Sequence, residues 1–182
     1  MYAKEMNGLK GKSIRSNSKV ARQHGASLLE GIAYLGIAAI VVMGAISLLT
    51  GAFSSAKSNQ ANEEVIGLRT AVRKLYMGQT YPAGTIVSNL ISAKATPGTL
   101  VVDSGTLKNS WGGSVTIAGA SGSFEITYPS VPPDVCVSMV SGASGWAGIK
   151  INTTSITSSP VSAADASANC TATSNSIVYT ST

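Results

Sequence analysis

Residues Gly25 to Phe53 read GASLLEGIAYLGIAAIVVMGAISLLTGAF. The stretch holds no Lys, Arg, Asp or His, and its one charged side chain is Glu30. In helical form such a run crosses a hydrocarbon core of ~30 Å, which takes ~20 residues. A lone carboxylate near the start of a membrane-length helix calls for a partner or a function.

The segment ahead of this run, Met1 to His24, is polar, basic and without apolar periodicity, and reads as a disordered leader. The chain of 182 residues carries a net charge of +5. Lys4, Lys10, Lys12, Arg15, Lys19 and Arg22 precede Gly25, opposed only by Glu5. Beyond Gly25 the cations Lys57, Arg69, Arg73, Lys74, Lys94, Lys108 and Lys150 are balanced by Glu30, Glu63, Glu64, Asp103, Glu125, Asp134 and Asp165. The whole excess therefore lies in the leader, where Lys and Arg hold a segment on the cytoplasmic side. No basic nucleic-acid surface is left for the remainder, and no nucleic-acid partner is expected. The apolar run is followed by no A-x-A cleavage site, so the leader is unlike a secretory signal. Any cut has to fall before the run and leave it in the mature protein.

Downstream of Ala26 there is no Pro until Pro82, and Ala, Leu and Ile dominate the first half, which predicts helix. Gly31, Gly36, Gly44 and Gly51 interrupt it. In water each costs ~1 kcal/mol against Ala, whereas in a membrane small residues let helices approach closely. Past Phe53, the residues Ala61, Val65, Leu68, Val72 and Leu75 recur at helical spacing and form one apolar stripe. Gly78 and Tyr81-Pro82 end it. Unbroken from Ala26 to Met77, this is a rod of roughly 75 Å. Its first half is apolar all round, and its amphipathic second half must pack on something.

The rest of the chain supplies that something. Thr85 to Ala93 reads as a short helix. Ser114 to Ala118 and Phe124 to Tyr128 alternate about a turn at Gly119 to Gly122, the pattern of a hairpin. Pro132 to Val140 reads as a helix opening at a Pro pair, and Trp146 to Ile151 as a strand. Ala163 to Cys170 reads as a short helix and Ser176 to Thr180 as a last strand. The fold class is α+β, a long N-terminal helix packed on a small antiparallel sheet. Cys136 and Cys170 lie beyond the membrane run, outside the cell if the leader is cytoplasmic. There they form either a disulfide or two buried thiols.

Catalytic chemistry finds little footing. The single His, His24, is in the leader, so the mature part has no imidazole for base work or zinc. No G-x-S-x-G, Walker or dinucleotide motif occurs in context. Asp103, Glu125, Asp134 and Asp165 show no spacing that marks a carboxylate pair. Asn152-Thr-Thr and Asn169-Cys-Thr match a glycosylation triplet that is frequent by chance. No catalytic, cofactor-binding or metal residue is assigned, and the chain is read as no enzyme.

Gly25-Ala-Ser-Leu-Leu-Glu30, followed by the apolar run, resembles the processing site of type IV prepilins. In that family a membrane peptidase cuts after the Gly and methylates the new N-terminus. The resemblance implies Gly25 as the last leader residue, Ala26 as the new N-terminus and Glu30 as the fifth-position Glu. Ala26 departs from the larger apolar residue usual there, which bears on methylation more than on cleavage. The long leader resembles that of the type IVb class. Asn109-Ser-Trp-Gly-Gly113 is similar to the family's N-P-F/W-G-G turn, with Ser110 in place of Pro. Cys136 and Cys170 resemble the pair that closes the family's C-terminal loop.

The resemblance implies the pilin fold and three regions. These are a cleaved cytoplasmic leader (1–25), a transmembrane and assembly half of the helix (26–53) and a soluble head (54–182). It implies a major pilin polymerising with copies of itself, and a prepilin peptidase as processing partner. The precursor would reside in a bacterial inner membrane and the product in an extracellular pilus serving conjugation, adherence or aggregation. Elementary energetics points the same way. About fourteen large apolar residues between Leu28 and Phe53 would cost on the order of 20–40 kcal/mol to expose to water. Glu30 is assigned to assembly. With no Lys or Arg in residues 26–56, its one available cation at that depth is the amine that cleavage creates at Ala26. A pseudopilin or minor pilin, and a membrane-anchored binding domain that never polymerises, are the competing readings.

Overall fold

A computed structural model describes residues 27–156 and 160–182. The chain divides into two units, at Met43 and Gly44. The dividing point lies within the first helix, α1 (Leu28–Leu75), which is assigned as continuous over 48 residues. In the first unit, α1 exposes all its large apolar side chains, Leu28 at 84% among them. It is a helix made by propensity and backbone hydrogen bonds, and among the described residues none covers its large apolar side chains.

The second unit carries the core. From Ser58 onward one face of α1 is buried through Ser58, Ala61, Glu64, Val65, Leu68 and Val72. The apolar stripe is thus the packing face. Leu75 at its end is half-buried, where the chain leaves the helix toward Gly78 at φ +76°. Arg73 and Lys74 in the last turn suit the negative end of the helix dipole.

Against α1 lies an antiparallel sheet of eight strands. They are β1 (Gly84–Thr85), β2 (Val101–Asp103), β3 (Thr106–Lys108), β4 (Ser114–Ala120), β5 (Ser123–Val131), β6 (Gly148–Ile151), β7 (Thr154–Ile156) and β8 (Asn175–Ser181). Their order is β2-β3-β4-β5-β8-β6-β7, with β1 also paired to β4. Alternation decides which face is buried. Val115 and Ile117 of β4, Phe124, Ile126 and Tyr128 of β5, Ile177 and Tyr179 of β8, and Ile149 and Ile151 of β6 all enter the core. The register Ile117↔Ile126↔Tyr179↔Ile149 carries one apolar row across four strands. Gly119 faces inward where the Pro82 carbonyl crosses, and no side chain would fit there.

Three short helices complete the unit: α2 (Val87–Ser92), α3 (Pro133–Ser141) and α4 (Ala163–Asn169). Pro133 opens α3 at a first-turn position, and Ser162 caps α4 by accepting from the Asp165 N–H. Several expectations shift. The hairpin turn is tighter than Gly119 to Gly122, because β4 continues to Ala120. The strand expected from Trp146 begins at Gly148, since Trp146 turns aside to pack with Arg69. Thr85 belongs to β1 rather than to the helix that follows. β2, β3 and β7 are strands that the sequence pattern did not announce, and the sheet is larger than expected.

Candidate functional site

Gly25 and Ala26 lie outside the described residues. Glu30 stands in the first turn of α1, exposed, and accepts a long hydrogen bond (3.4 Å) from the Tyr34 hydroxyl one turn on. Among the described residues no ion pair to Glu30 is present. Its carboxylate is thus held within α1 by a neutral donor, in the part of the helix whose large apolar side chains are all exposed.

Cys136 of α3 and Cys170, the residue that ends α4, form a disulfide with Cα atoms 5.8 Å apart. The bond closes the loop of residues 137–169. This loop carries β6, β7 and α4, and it buries Ile149, Ile151, Val161 and Ala166. The two glycosylation-like triplets are structural at their first residue. Asn152 sits at φ +54° between β6 and β7. Its side chain donates to Asn175 (3.0 Å) and accepts from the Ser176 N–H (2.9 Å), tying the hairpin to β8. Asn169 donates to the Asp165 carbonyl within α4.

The Asn109–Gly113 turn is built around one amide. The Asn109 side-chain oxygen accepts from the N–H of Trp111 (3.1 Å) and of Gly113 (2.9 Å), while its nitrogen donates to the Pro129 carbonyl (2.6 Å). Gly112 holds φ +76°, and a Cβ on Gly113 would lie 2.6 Å from the Pro129 oxygen. This explains why the two glycines follow the indole. Trp111 in turn packs edge-on against Tyr128, with ring centroids 6.4 Å apart.

Tyr128 leads to a residue that sequence reasoning missed. Glu64 is 1% exposed on the packing face of α1. Its carboxylate accepts from the Tyr128 hydroxyl (2.5 Å) and from Gln60 (2.8 Å), and Gln60 also reaches the Ser110 hydroxyl (3.1 Å). One carboxylate thus ties α1 to β5 and to the Asn109 turn. Burial, and then the Glu64 carboxylate beside it, push the Tyr128 phenol well above its ordinary range. At ~100° per residue Glu64 falls on the edge of the stripe, about one turn from both Ala61 and Leu68. The available signal was therefore its phase, which sets it apart from its neighbour Glu63.

A second node joins α1 to β8. The Arg69 guanidinium stacks over the Trp146 ring at 4.6 Å, donates to Ser181 (3.2 Å) and donates to the Gly145 carbonyl. Burial, then Arg73, lower its pKa. Tyr179 packs on Trp146 and is itself fully buried, which drives its phenol pKa upward.

The structure does not bring the remaining carboxylates together. Asp103 pairs with Lys108 at 3.7 Å, and Glu125 accepts from Thr180 at 3.4 Å. Asp134 accepts from Ser54, and Asp165 accepts from Ser162 at 2.7 Å. Each has its own local partner on a different element. Among the described residues no three His, Cys, Asp or Glu side chains group as metal ligands.

The family model described as PilS N terminal matches residues 55–182 of this chain. Two curated relatives bear the name "Major structural subunit of bundle-forming pilus". The relative from Escherichia coli O111:H- is 28% identical over 160 residues, covering 82% of each chain. The relative from Escherichia coli O127:H6 (strain E2348/69 / EPEC) is 28% identical over 122 residues, covering 64% of this chain and 63% of that protein. The match runs from the amphipathic part of α1 to β8, and with the apolar helix ahead of it, it places the chain in the PilS N-terminal family, as a type IV pilin.

Proposed function

We propose that this chain is the major structural subunit of a type IV pilus. It would be cut between Gly25 and Ala26, anchored by residues 26–53 in an inner membrane, and then drawn into an extracellular filament of identical subunits. The observation that carries this reading is the first half of α1. It is a helix whose large apolar side chains are all uncovered, joined in sequence to a head with a complete core of its own. An 18-residue window of α1 is apolar enough to cross a membrane. Once out of the membrane, only other copies of the same helix offer a matching surface. A heterologous contact repeated from copy to copy builds a helical filament. The pilus-subunit names of the relatives support the same role.

The head's polar clusters support a structural rather than a catalytic role. Glu64, Asn109 and Asn152 spend their hydrogen-bonding groups on the backbone and side chains of neighbouring elements. Such a fibre would serve conjugation, adherence or aggregation.

Two measurements on sheared cell-surface material test the proposal. N-terminal sequencing should begin ASLLEG, and negative-stain microscopy with antibody against residues 54–182 should decorate thin fibres. A surface protein starting at Met1, or antibody confined to the cell membrane with no fibres, would overturn it.

A further inference from the structure

The head exposes two features of complementary character. The first is the β2–β3 hairpin. Val101 and Val102 are adjacent on a three-residue edge strand, so they point to opposite faces. Both are nevertheless exposed, at 61% and 48%. Asp103 follows them, and the turn beyond, Ser104 at φ +49° and Gly105 at φ +79°, holds this tip in one conformation. The second is a groove of about 640 Å³ between α1 and the segment after α2. Its floor is small and apolar, with Gly67, Ala71 and Leu75 facing Ala93 and Ala95, and Lys74 and Lys94 stand on its two sides.

The position of Lys94 is fixed by the backbone. The chain leaves α2 by a turn in which the Lys94 N–H bonds the Ile91 carbonyl (3.0 Å) and the Ala95 N–H bonds the Leu90 carbonyl (3.0 Å). Lys94 occupies the left-handed position of that turn, at φ +51°, where Gly is usual. A cation is therefore held on the groove's rim at a place where its backbone is disfavoured.

We infer that the Val101–Asp103 edge of one subunit docks in the Gly67–Ala95 groove of a second copy, the Val101 side chain to the small-residue floor and the Asp103 carboxylate, on the same face of β2, between Lys74 and Lys94. Apolar meets apolar, and one anion meets two cations; within its own chain Asp103 has the Ser104 hydroxyl at 3.2 Å and the half-exposed Lys108 at 3.7 Å. The contact joins two different patches, so it repeats without closing. It would add a head-to-head link to the helix-to-helix one. The inference rests on the filament reading above.

The test is made in cells producing the full chain. In the doubly substituted Ala71→Cys, Val101→Cys protein, oxidation of sheared fibres should give a ladder of multimers on a non-reducing gel, while each single substitution stays monomeric. Fibres from the double variant that yield monomer only, or dimer only, overturn the docking and leave the filament reading intact. Absence of fibres from wild-type cells overturns both. Should the cysteine pair itself block fibres, a charge series decides. Asp103→Lys alone, and Lys74→Glu with Lys94→Glu, should each lower fibre yield by about tenfold, and combining all three should restore it. Wild-type yield from the single charge reversals, or no recovery in the combination, rejects the contact.

Discussion

Glu64 is the residue on which the head's two layers are pinned. A buried carboxylate is stable only with donors or cations around it, and here the donors are neutral, Tyr128 and Gln60. Glu64→Ala leaves the Tyr128 hydroxyl buried without an acceptor and opens a void, and should cost about 2–4 kcal/mol. Tyr128→Phe removes one donor from the carboxylate and should cost about 1–3 kcal/mol. Urea unfolding of the full chain in micelles measures both; a loss under a few tenths of a kcal/mol from Glu64→Ala would contradict the pinning role. The phenols add a pH signature. Tyr128 and Tyr179 have folded pKa values raised above the unfolded value of about 10. Below pH 10 both states keep the proton and stability is complete. Above it the unfolded chain ionises while the fold holds its protons, so stability falls as pH rises further. Melting temperature should therefore drop steeply between about pH 10 and 11.5, and less steeply in Tyr128→Phe. Glu64 itself was not legible beforehand, because a carboxylate inside an apolar stripe looks like a surface interruption until a partner is seen opposite it. The Asn109–Gly113 turn was legible as a pattern, but its cause, an Asn109 amide serving three backbone groups, was not.

At the scale of elements, legibility followed length and periodicity. The stripe of α1 and the alternating runs of β4, β5 and β8 each repeat often enough to fix one buried face. β2, β3 and β7 have three residues apiece, too few for alternation to declare itself, and they exist because a neighbouring strand offers hydrogen bonds. The disulfide acts on elements too. It joins α3 to the end of α4 across a sequence separation of 34, and a closed loop of that size is worth roughly 4 kcal/mol in the chain-entropy model. Reduction should lower the unfolding midpoint and speed amide exchange first in β6, β7 and α4. Equal exchange protection with and without reductant would show that the core alone orders this loop. Two alkylatable thiols in the assembled protein would deny the bond altogether.

For the whole molecule the expectation concerns Glu30. Its place in an apolar helix, with Tyr34 at 3.4 Å, gives the carboxylate little to do in the folding of the head. On the processing proposed above, the amine freed at Ala26 of an incoming subunit would be the cation that meets it, and only processed chains would have it. Glu30→Ala should leave the chain expressed, cleaved and disulfide-bonded while fibres are lost or sharply reduced, as scored by shearing yield. Wild-type fibre levels would reject a role for Glu30 in assembly.

The placing of β8 between β5 and β6 has a consequence for timing. A chain emerges N-terminus first, and β8 comes after every other strand. Until it arrives, β5 has an open edge, the β6–β7 hairpin has nothing to pair with, and the places of Ile177 and Tyr179 in the core are unfilled. Two of the sheet's pairings, β5–β8 and β6–β8, are therefore withheld until β8 is made, and β5–β8 spans the longest sequence separation in the sheet. Nascent pilin would pass through a vulnerable interval in which proteases and aggregation compete with closure, so a late-arriving chaperone or slow export should govern yield more strongly than any change in the finished fold.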